Sequence, residues 1–390
     1  MSRAHEVVVI VGGAIMGSFV AFYLRELDFD GSVIVLERDP TYRRSSTALS
    51  AASIRTQFGC PVNVRMSLFG AEFLRSSKLR WDNEVDVGFV ESGYLILGAQ
   101  GTSSERIAAA RMQNEEGADI RVMTATQAHS LFSWLNTDDV EVASYGARHE
   151  GWFDAWSLLQ GVRNAAKRYG VEYRRADVSR IELKALKVSG VCTSDGGEIA
   201  ADWVVNAAGA ASAALMRPHG IELPVTARKR TVFRVKTPLH AANFPMLFDS
   251  SGAWIRPEGD GFIAGIAPPA AKDGDADGDF EPAWELFEEV LWPALAHRVP
   301  AFQELRVDSA WAGHYEINLL DHNGIVGPHD EISNLLFATG FSGHGVMHAP
   351  ATGRAIAEHI LHGGYQTLDL ASLGYSRIRS RTPMHEAIVY

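Results

Sequence analysis

The chain has 390 residues, 46% of them hydrophobic and 21% charged, with a formal net charge of −11. A mean hydropathy of −0.04 excludes a polytopic membrane protein, and the acidic balance argues against a nucleic-acid partner. The two cysteines, Cys60 and Cys192, show no CxxC spacing, so a reducing compartment and a cytoplasmic location are expected.

The run VVVIVGGAIMGSFVAFYL, from Val7 to Leu24, carries no charge and just reaches the length of a membrane span. Three details point elsewhere. Glu6 sits where a positive flank is expected, no small-x-small cleavage site follows, and the run is punctuated internally. EVVVIV reads as a strand covered on both faces, GGAIMG as a turn, and SFVAFYLREL as a helix with charges at its end. GSVIVLER then gives a second strand ending in Glu37. This strand–turn–helix–strand–acid order is that of a dinucleotide site, and no membrane span is expected. Gly12 permits the tight turn and Gly17 close helix packing, while Gly13, Ala14, Ile15 and Met16 lead into a helix N-terminus suited to a pyrophosphate. Glu37, with Arg38 beside it, is placed to accept from ribose hydroxyls, and an acid there disfavours NADP. Ala14 replaces the middle glycine of the G-x-G-x-x-G pattern, so its methyl reduces clearance for the phosphates.

In STALSAASIR, the small hydroxyl residues Ser46, Thr47 and Ser53 could hydrogen-bond a second phosphate or a ribityl chain; a plain Ser/Ala-rich loop is the other reading. VGFVESGYLILG and RKRTVFRVK alternate like strands with one covered face, and Arg228-Lys229-Arg230 reads as a solvated strand end. GWFDAWSLLQGVRNAAKRYG reads as a helix capped by Asp154. Alternating strands follow, with a hairpin turn at Asp195-Gly196-Gly197. Val178 is expected near an adenine, and Ala207, Ala208 and Gly209 near the pyrophosphate. KDGDADGDFEP opens like a calcium loop at Asp273, Asp275, Asp277 and Gly278, but Trp284 holds the twelfth position, so it reads as an exposed acidic loop. In FATGFSGHGVM, the segment Gly340, Phe341, Ser342, Gly343, His344, Gly345, Val346 and Met347 joins a strand to an amphipathic helix. Such dense glycines imply backbone approaching a ligand, and the helix end would stabilise the N1/O2 anion of a reduced flavin. His344 and His348 lack a third ligand, so no metal is expected. An NAD enzyme would leave the three later segments unexplained, which favours FAD.

Together with SLFGAEFLR, PVTARKRTVF, DSSGAWIRP and AWAGHYEINLLDHNGIVGP, these segments resemble the D-amino-acid oxidase and sarcosine oxidase superfamily of FAD enzymes over essentially the whole chain. Within it they look most like the FAD-dependent oxidoreductase domain-containing proteins. The resemblance implies an α/β (α+β) chain: a discontinuous Rossmann-like FAD-binding domain of residues 1–85, 145–225 and 308–390, and a mostly antiparallel-sheet substrate domain of 86–144 and 226–307. It implies noncovalent FAD and oxidation of a C–N bond of an amino acid or N-alkyl amino acid by hydride transfer to flavin N5, the imine then hydrolysing. Arg55 matches the arginine that grips the substrate carboxylate. Trp254 and Arg256, two apart on a strand, would face the substrate, with Arg256 as a second anchor. Gly313, His314 and Tyr315 would border the flavin, and His344 would sit beside its ring. Three departures matter: the family's lysine after the glycine stretch corresponds to Met347, the flavin-attachment cysteine to His314, and the oxygen-activating lysine to Ile263. A dehydrogenase passing electrons to a quinone, flavoprotein or partner subunit is therefore expected rather than an O2-using oxidase. Mitochondrial members of the group are associated with respiratory complex I assembly, so an assembly or binding role is the alternative. A homo-oligomer stays open.

Overall fold

The computed structural model describes residues 5–81, 85–239, 243–276, 278–384 and 386. Its α/β architecture rests on two large sheets. The first has six strands in the order Ile325–Pro328, Leu335–Thr339, Trp203–Asn206, Val7–Val11, Ser32–Glu37 and Glu172–Arg175. Every neighbouring pair is parallel except the first. The β-branched burst explains its centre. Val8, Ile10, Val33 and Val35 pack into one core, and Val9, Val11, Ile34 and Leu36 into another on the opposite face. Both faces are covered, so no position in the run tolerates a charge.

Helices Ile15–Glu26, Ala155–Arg168 and Gly345–His362 contribute to the first core. Asp154 caps the second of these, its side chain accepting from Ser157 N at 3.0 Å. The opposite face is covered by an antiparallel meander of Val178–Lys184, Lys187–Thr193 and Glu198–Ala200, whose Ile181, Val188 and Val191 join the second core. Among the described residues no helix is long and apolar enough to cross a membrane.

The second sheet has eight strands in the order Arg306–Asn318, Val225–Lys236, Gly261–Gly265, Trp254–Glu258, Met246–Phe248, Tyr94–Gly98, Val142–Gly146 and Ile120–Thr124. It is antiparallel apart from the Met246–Phe248/Tyr94–Gly98 pair. Leu95, Leu97, Phe233, Leu247, Ile255 and Ala264 fill its outer core. Tyr94, Ile96, Met246, Phe248 and Trp254 cluster on the other face. Two expectations change here. The strand anticipated across VGFVESGYLILG begins only at Tyr94, and all five of its residues are buried, because both faces are covered. Arg228-Lys229-Arg230 is not a solvated end but lies inside the twelve-residue strand Val225–Lys236. There Lys229 pairs with Asp279 at 2.5 Å and Arg230 grips Asp273 at 2.7 and 2.8 Å, tying the acidic loop down. Asp277, the third residue of the calcium-like pattern, lies outside the described residues.

A glycine sets one of the close helix contacts. A Cβ at Gly353 would lie 2.5 Å from the backbone carbon of Phe19, which is fully buried. Gly353→Ala is expected to cost roughly 1–3 kcal/mol, read as a lower urea midpoint at constant m-value. Gly364→Ala, where a Cβ meets open space, should leave the midpoint unchanged.

Candidate functional site

The carboxyl ends of Val7–Val11 and Trp203–Asn206 meet in a crevice built by missing side chains. Gly12 has φ +99°, and a Cβ there would lie 2.3 Å from the Ala207 carbonyl oxygen. A Cβ at Gly17 would lie 1.9 Å from Gly12 O. Ala14 is the N-cap residue of Ile15–Glu26, and Thr47 Oγ1 stands 3.4 Å from Ile15 N at the same helix end. Met16 reaches toward the later glycine segment, its methyl 3.4 Å from where a Gly345 Cβ would be. Glu37 accepts from Gly13 N at 2.8 Å and Asp39 N at 2.9 Å, which aims the carboxylate back at the turn. Arg38 is exposed, and Val178 begins the first strand of the meander, half-buried against the second core.

Strand Arg306–Asn318 closes the crevice from the second sheet. Ser46 Oγ donates to His314 O at 2.7 Å, Trp311 Nε1 donates to Leu49 O at 3.0 Å, and a Cβ at Gly313 would lie 2.8 Å from Leu49 Cβ. A cavity of about 30 Å³ lies between Ser46, Leu49, Trp254, Gly313, His314 and Tyr315. The His314 ring stacks on Phe280 at 3.9 Å, with its Nε2 2.6 Å from Asp279 O. The Tyr315 ring occupies the space left by Gly343, where a Cβ would lie 2.7 Å from it.

Glu316, absent from the sequence expectations, sits where two glycine segments meet. Its carboxylate accepts from Thr339 Oγ1 at 2.9 Å and from the N–H groups of Gly340 and Phe341. A Cβ at Gly209 would lie 3.6 Å from Oε2, and one at Gly345 3.8 Å from Oε1. Burial pushes Glu316 up to about 7 against those hydrogen bonds. Ser342, at φ +50°, donates its N–H to Glu316 O at 3.0 Å and accepts from Asn318 N at 3.0 Å. Helix Gly345–His362 starts here, with Val346 half-buried and Met347 buried against Ser67.

Arg55 is 3% exposed. Its Nη1 donates to Gln57 O, its Nη2 lies 3.3 Å from His344 Nε2, and its guanidinium carbon stands 4.0 Å from the centre of the Phe58 ring. Burial, then Arg55 and then His348, hold His344 well below the usual imidazole range. A neutral ring can accept from Arg55, so the two form one unit. His348 is held down to about 3 by burial and then Arg55, and it lies 3.0 Å from Ser67 Oγ. On the other side Glu150, with no exposed surface, accepts from Thr56 and Gln57. Ser53 pairs with Trp152 across a two-stranded ladder and hydrogen-bonds Tyr94.

Trp254 and Arg256 do share a sheet face, as their spacing requires, but Arg256 is committed elsewhere. Its Nε and Nη2 donate to Ala51 O at 3.0 and 2.6 Å, and its Nη1 to Pro257 O at 2.8 Å and to Glu258. It clamps the turn in which Ala52 has φ +50° and so does not stand open as a second anchor. Ile263, buried, is paired in register with Arg256 and points to the same face.

Comparison with known proteins bears on this geometry. The sequence model of the family described as DAO, FAD dependent oxidoreductase, matches residues 7–359. The chain belongs to this family. It is 39% identical to the FAD-dependent oxidoreductase domain-containing protein 1 of Xenopus laevis, over 97% of this chain and 84% of that protein. It is 24% identical to human mitochondrial sarcosine dehydrogenase, over 91% of this chain but 40% of that longer protein. Its fold matches the L-proline dehydrogenase of P. horikoshii with a TM-score of 0.84 and 26% identity, covering 97% of this chain and 99% of that one. It also matches the glycine oxidase of Geobacillus kaustophilus with a TM-score of 0.78 and 22% identity, covering 94% and 97%. The α/β architecture expected from the sequence is therefore the one found, and FAD is the cofactor. The residues fit it: Gly12 and Gly17 let the turn close against Ala207 and its own helix, which leaves the N-terminus of Ile15–Glu26 without bulky side chains at the turn, and Glu37 is held at that turn by Gly13 N.

The electrostatics carry a pH signature. Burial raises Glu150 to about 7, opposed by hydrogen bonds from Thr56 and Gln57 and by the Arg55 charge. The folded form thus keeps a proton that the unfolded form releases near its ordinary 4.5. That contribution is whole below the unfolded value and is lost as pH rises through about 7. The depressed histidines act oppositely, but their effect ends by about pH 6.5. Unfolding free energy is expected to fall by roughly 1 kcal/mol between about pH 6.5 and 8 on account of Glu150. Urea titrations of Glu150→Gln across that window should show the fall reduced by that amount.

Proposed function

We propose that this protein is an FAD-dependent dehydrogenase that oxidises a C–N bond of an amino acid or N-alkyl amino acid. The observation that carries this reading is Arg55: a buried guanidinium, fixed by Gln57, His344 and Phe58, at the start of the glycine-rich helix. A planar fork held in one orientation suits bidentate binding of a carboxylate. The relatives named for acting on sarcosine, proline and glycine share carboxylate-bearing substrates, which supports it.

The chain's residues bind and orient. Gly12, Gly13, Ala14, Ile15, Met16 and Gly17 receive the pyrophosphate on a helix N-terminus. Glu37 and Arg38 take the adenosine ribose, and Val178 lies beside the adenine. Ser46, Thr47, Ser53, Ala207, Ala208 and Gly209 line the path of the ribityl chain and phosphates. Gly313 and the segment Gly340, Phe341, Ser342, Gly343, His344, Gly345, Val346 and Met347 frame the ring. Bound there, the flavin supplies the hydride acceptor, and Arg55 holds the carboxylate so that the substrate C–H bond meets it. Trp254 and Tyr315 roof the site and exclude water. His344 steadies Arg55 rather than moving a proton. The division into an FAD-binding part (1–85, 145–225, 308–390) and a substrate part (86–144, 226–307) is proposed on the same footing.

FAD is noncovalent in this reading, because His314 directs its Nε2 to Asp279 O and stacks on Phe280. Ile263 offers no positive charge where the family's oxidases place one, so the acceptor is a quinone or a partner flavoprotein rather than O2. The deciding experiment is anaerobic bleaching of the flavin absorbance near ~450 nm by a panel of N-methyl and D- or L-amino acids. A substrate that bleaches the wild type should show a KM raised on the order of 10- to 100-fold in Arg55→Lys, with kcat less affected. Silence across the whole panel would favour the assembly role. After photoreduction, slow reoxidation by air is expected in stopped flow; a fast phase would overturn the dehydrogenase reading.

A further inference from the structure

Glu150 grips the two residues that follow Arg55. Its Oε1 accepts from Thr56 N at 2.6 Å, Thr56 Oγ1 at 2.7 Å and Gln57 N at 3.2 Å, and its Oε2 accepts from Gln57 Nε2 at 2.8 Å. Gln57 is held at its far end as well. Ser144 Oγ donates to its Oε1 at 2.6 Å, and its Nε2 lies 3.3 Å from Tyr94 O. The carbonyl of this pinned Gln57 receives Arg55 Nη1. The orientation of one guanidinium nitrogen is therefore set by a peptide that Glu150 holds.

The backbone delivers Glu150 to this place at visible cost. His149 has φ +64°, and at Gly151, with φ +153°, a Cβ would lie 1.9 Å from Val90 O. Gly146 leaves the room that the carboxyl occupies, since a Cβ there would lie 2.2 Å from Oε2. Gly151 then pairs with Ile54, the residue ahead of Arg55, in the short antiparallel ladder. One segment thus fixes Arg55 from both sides: strand pairing before it, the carboxylate after it. Fold stability alone does not call for this arrangement, because a buried carboxyl is costly to desolvate and an apolar side chain of similar volume is often at least as stable.

We propose that Glu150 is a positioning residue for Arg55, setting the guanidinium to receive the substrate carboxylate. This rests on the reading of Arg55 as the anchor. Glu150 acts through hydrogen-bond acceptance rather than by touching substrate.

The test is benzoate affinity of the FAD-loaded protein, read from perturbation of the flavin spectrum, alongside thermal midpoint and FAD content. Glu150→Ala should weaken benzoate binding by about 10-fold or more while retaining FAD. Glu150→Asp, which keeps the carboxyl group but shortens the reach by one methylene, should weaken it similarly and carries the test where the alanine variant does not fold. Glu150→Gln, which keeps the acceptor for Thr56 and Gln57 N but turns a donor toward Gln57 Nε2, should weaken it less than Glu150→Ala. Wild-type benzoate affinity in Glu150→Ala or Glu150→Asp, alongside loss in Arg55→Lys, would overturn the positioning role and leave the anchor standing, even if the thermal midpoint fell. Wild-type affinity in Arg55→Lys would overturn the anchor, and the positioning role with it.

Discussion

The site depends on how closely two parallel strand ends can approach one turn. Gly12 lies against the Ala207 carbonyl and Gly17 against the carbonyl of Gly12 itself, at separations that no side chain would allow. These contacts level the carboxyl ends of Val7–Val11, Ser32–Glu37 and Trp203–Asn206, with Val11 opposite both Leu36 and Asn206. Ligands of open parallel sheets bind where strand connections diverge at such an edge. Helix Gly345–His362 can lean over the same crevice because Gly353 and Gly70 let it settle on the backbone of its neighbours. A methyl group at Ala14 is tolerated because it stands at the helix cap, half-buried, rather than at the two pinch points.

Around this crevice the buried and half-buried ionisable groups hold mostly main-chain groups. Arg256 clamps a carbonyl, Glu316 gathers two backbone N–H groups, and Glu150 takes two more. Even Arg377, ion-paired with Asp321 at 2.8 Å, also donates to Asn323 O and Gly324 O at 3.0 and 2.9 Å. Buried ion pairs add little net stability, since desolvation offsets attraction. Their return is conformational: each fixes an irregular loop that no sheet or helix would hold. Residues 51–58 hold only the two-residue strand Ser53–Ile54 and are otherwise irregular, clamped by Arg256 at one end and Glu150 at the other.

Much of this was legible in the sequence wherever a rule is local. An unbroken run of β-branched residues announced a strand with two covered faces, and GSVIVLER announced a second strand ending in Glu37. Asp154 marked a helix start. What stayed hidden is set by partners distant in sequence. Arg256 shares its face with Trp254 as alternation requires, yet its donors go to Ala51, 205 residues away. The cluster Arg228-Lys229-Arg230 looks solvated until the acidic loop folds back on it. Glu150 gave one weak local sign, a carboxylate ahead of a glycine, and its role needs Thr56 and Gln57, more than 90 positions earlier. Phe58 and His344, which frame Arg55, are likewise joined only by the fold.

The placement of Glu316 brings these threads together. A helix N-terminus offers positive potential, and a full negative charge beside it would cancel much of that. Glu316 lies next to the first residue of Gly345–His362, yet burial holds a proton on it up to about pH 7. The hydrogen bonds from Thr339, Gly340 and Phe341 pull the other way, so the group is balanced rather than fixed. A neutral carboxyl fills space and satisfies those donors without opposing the helix end. The charge beside this helix end is thus governed by the competition between burial and three hydrogen bonds at one side chain.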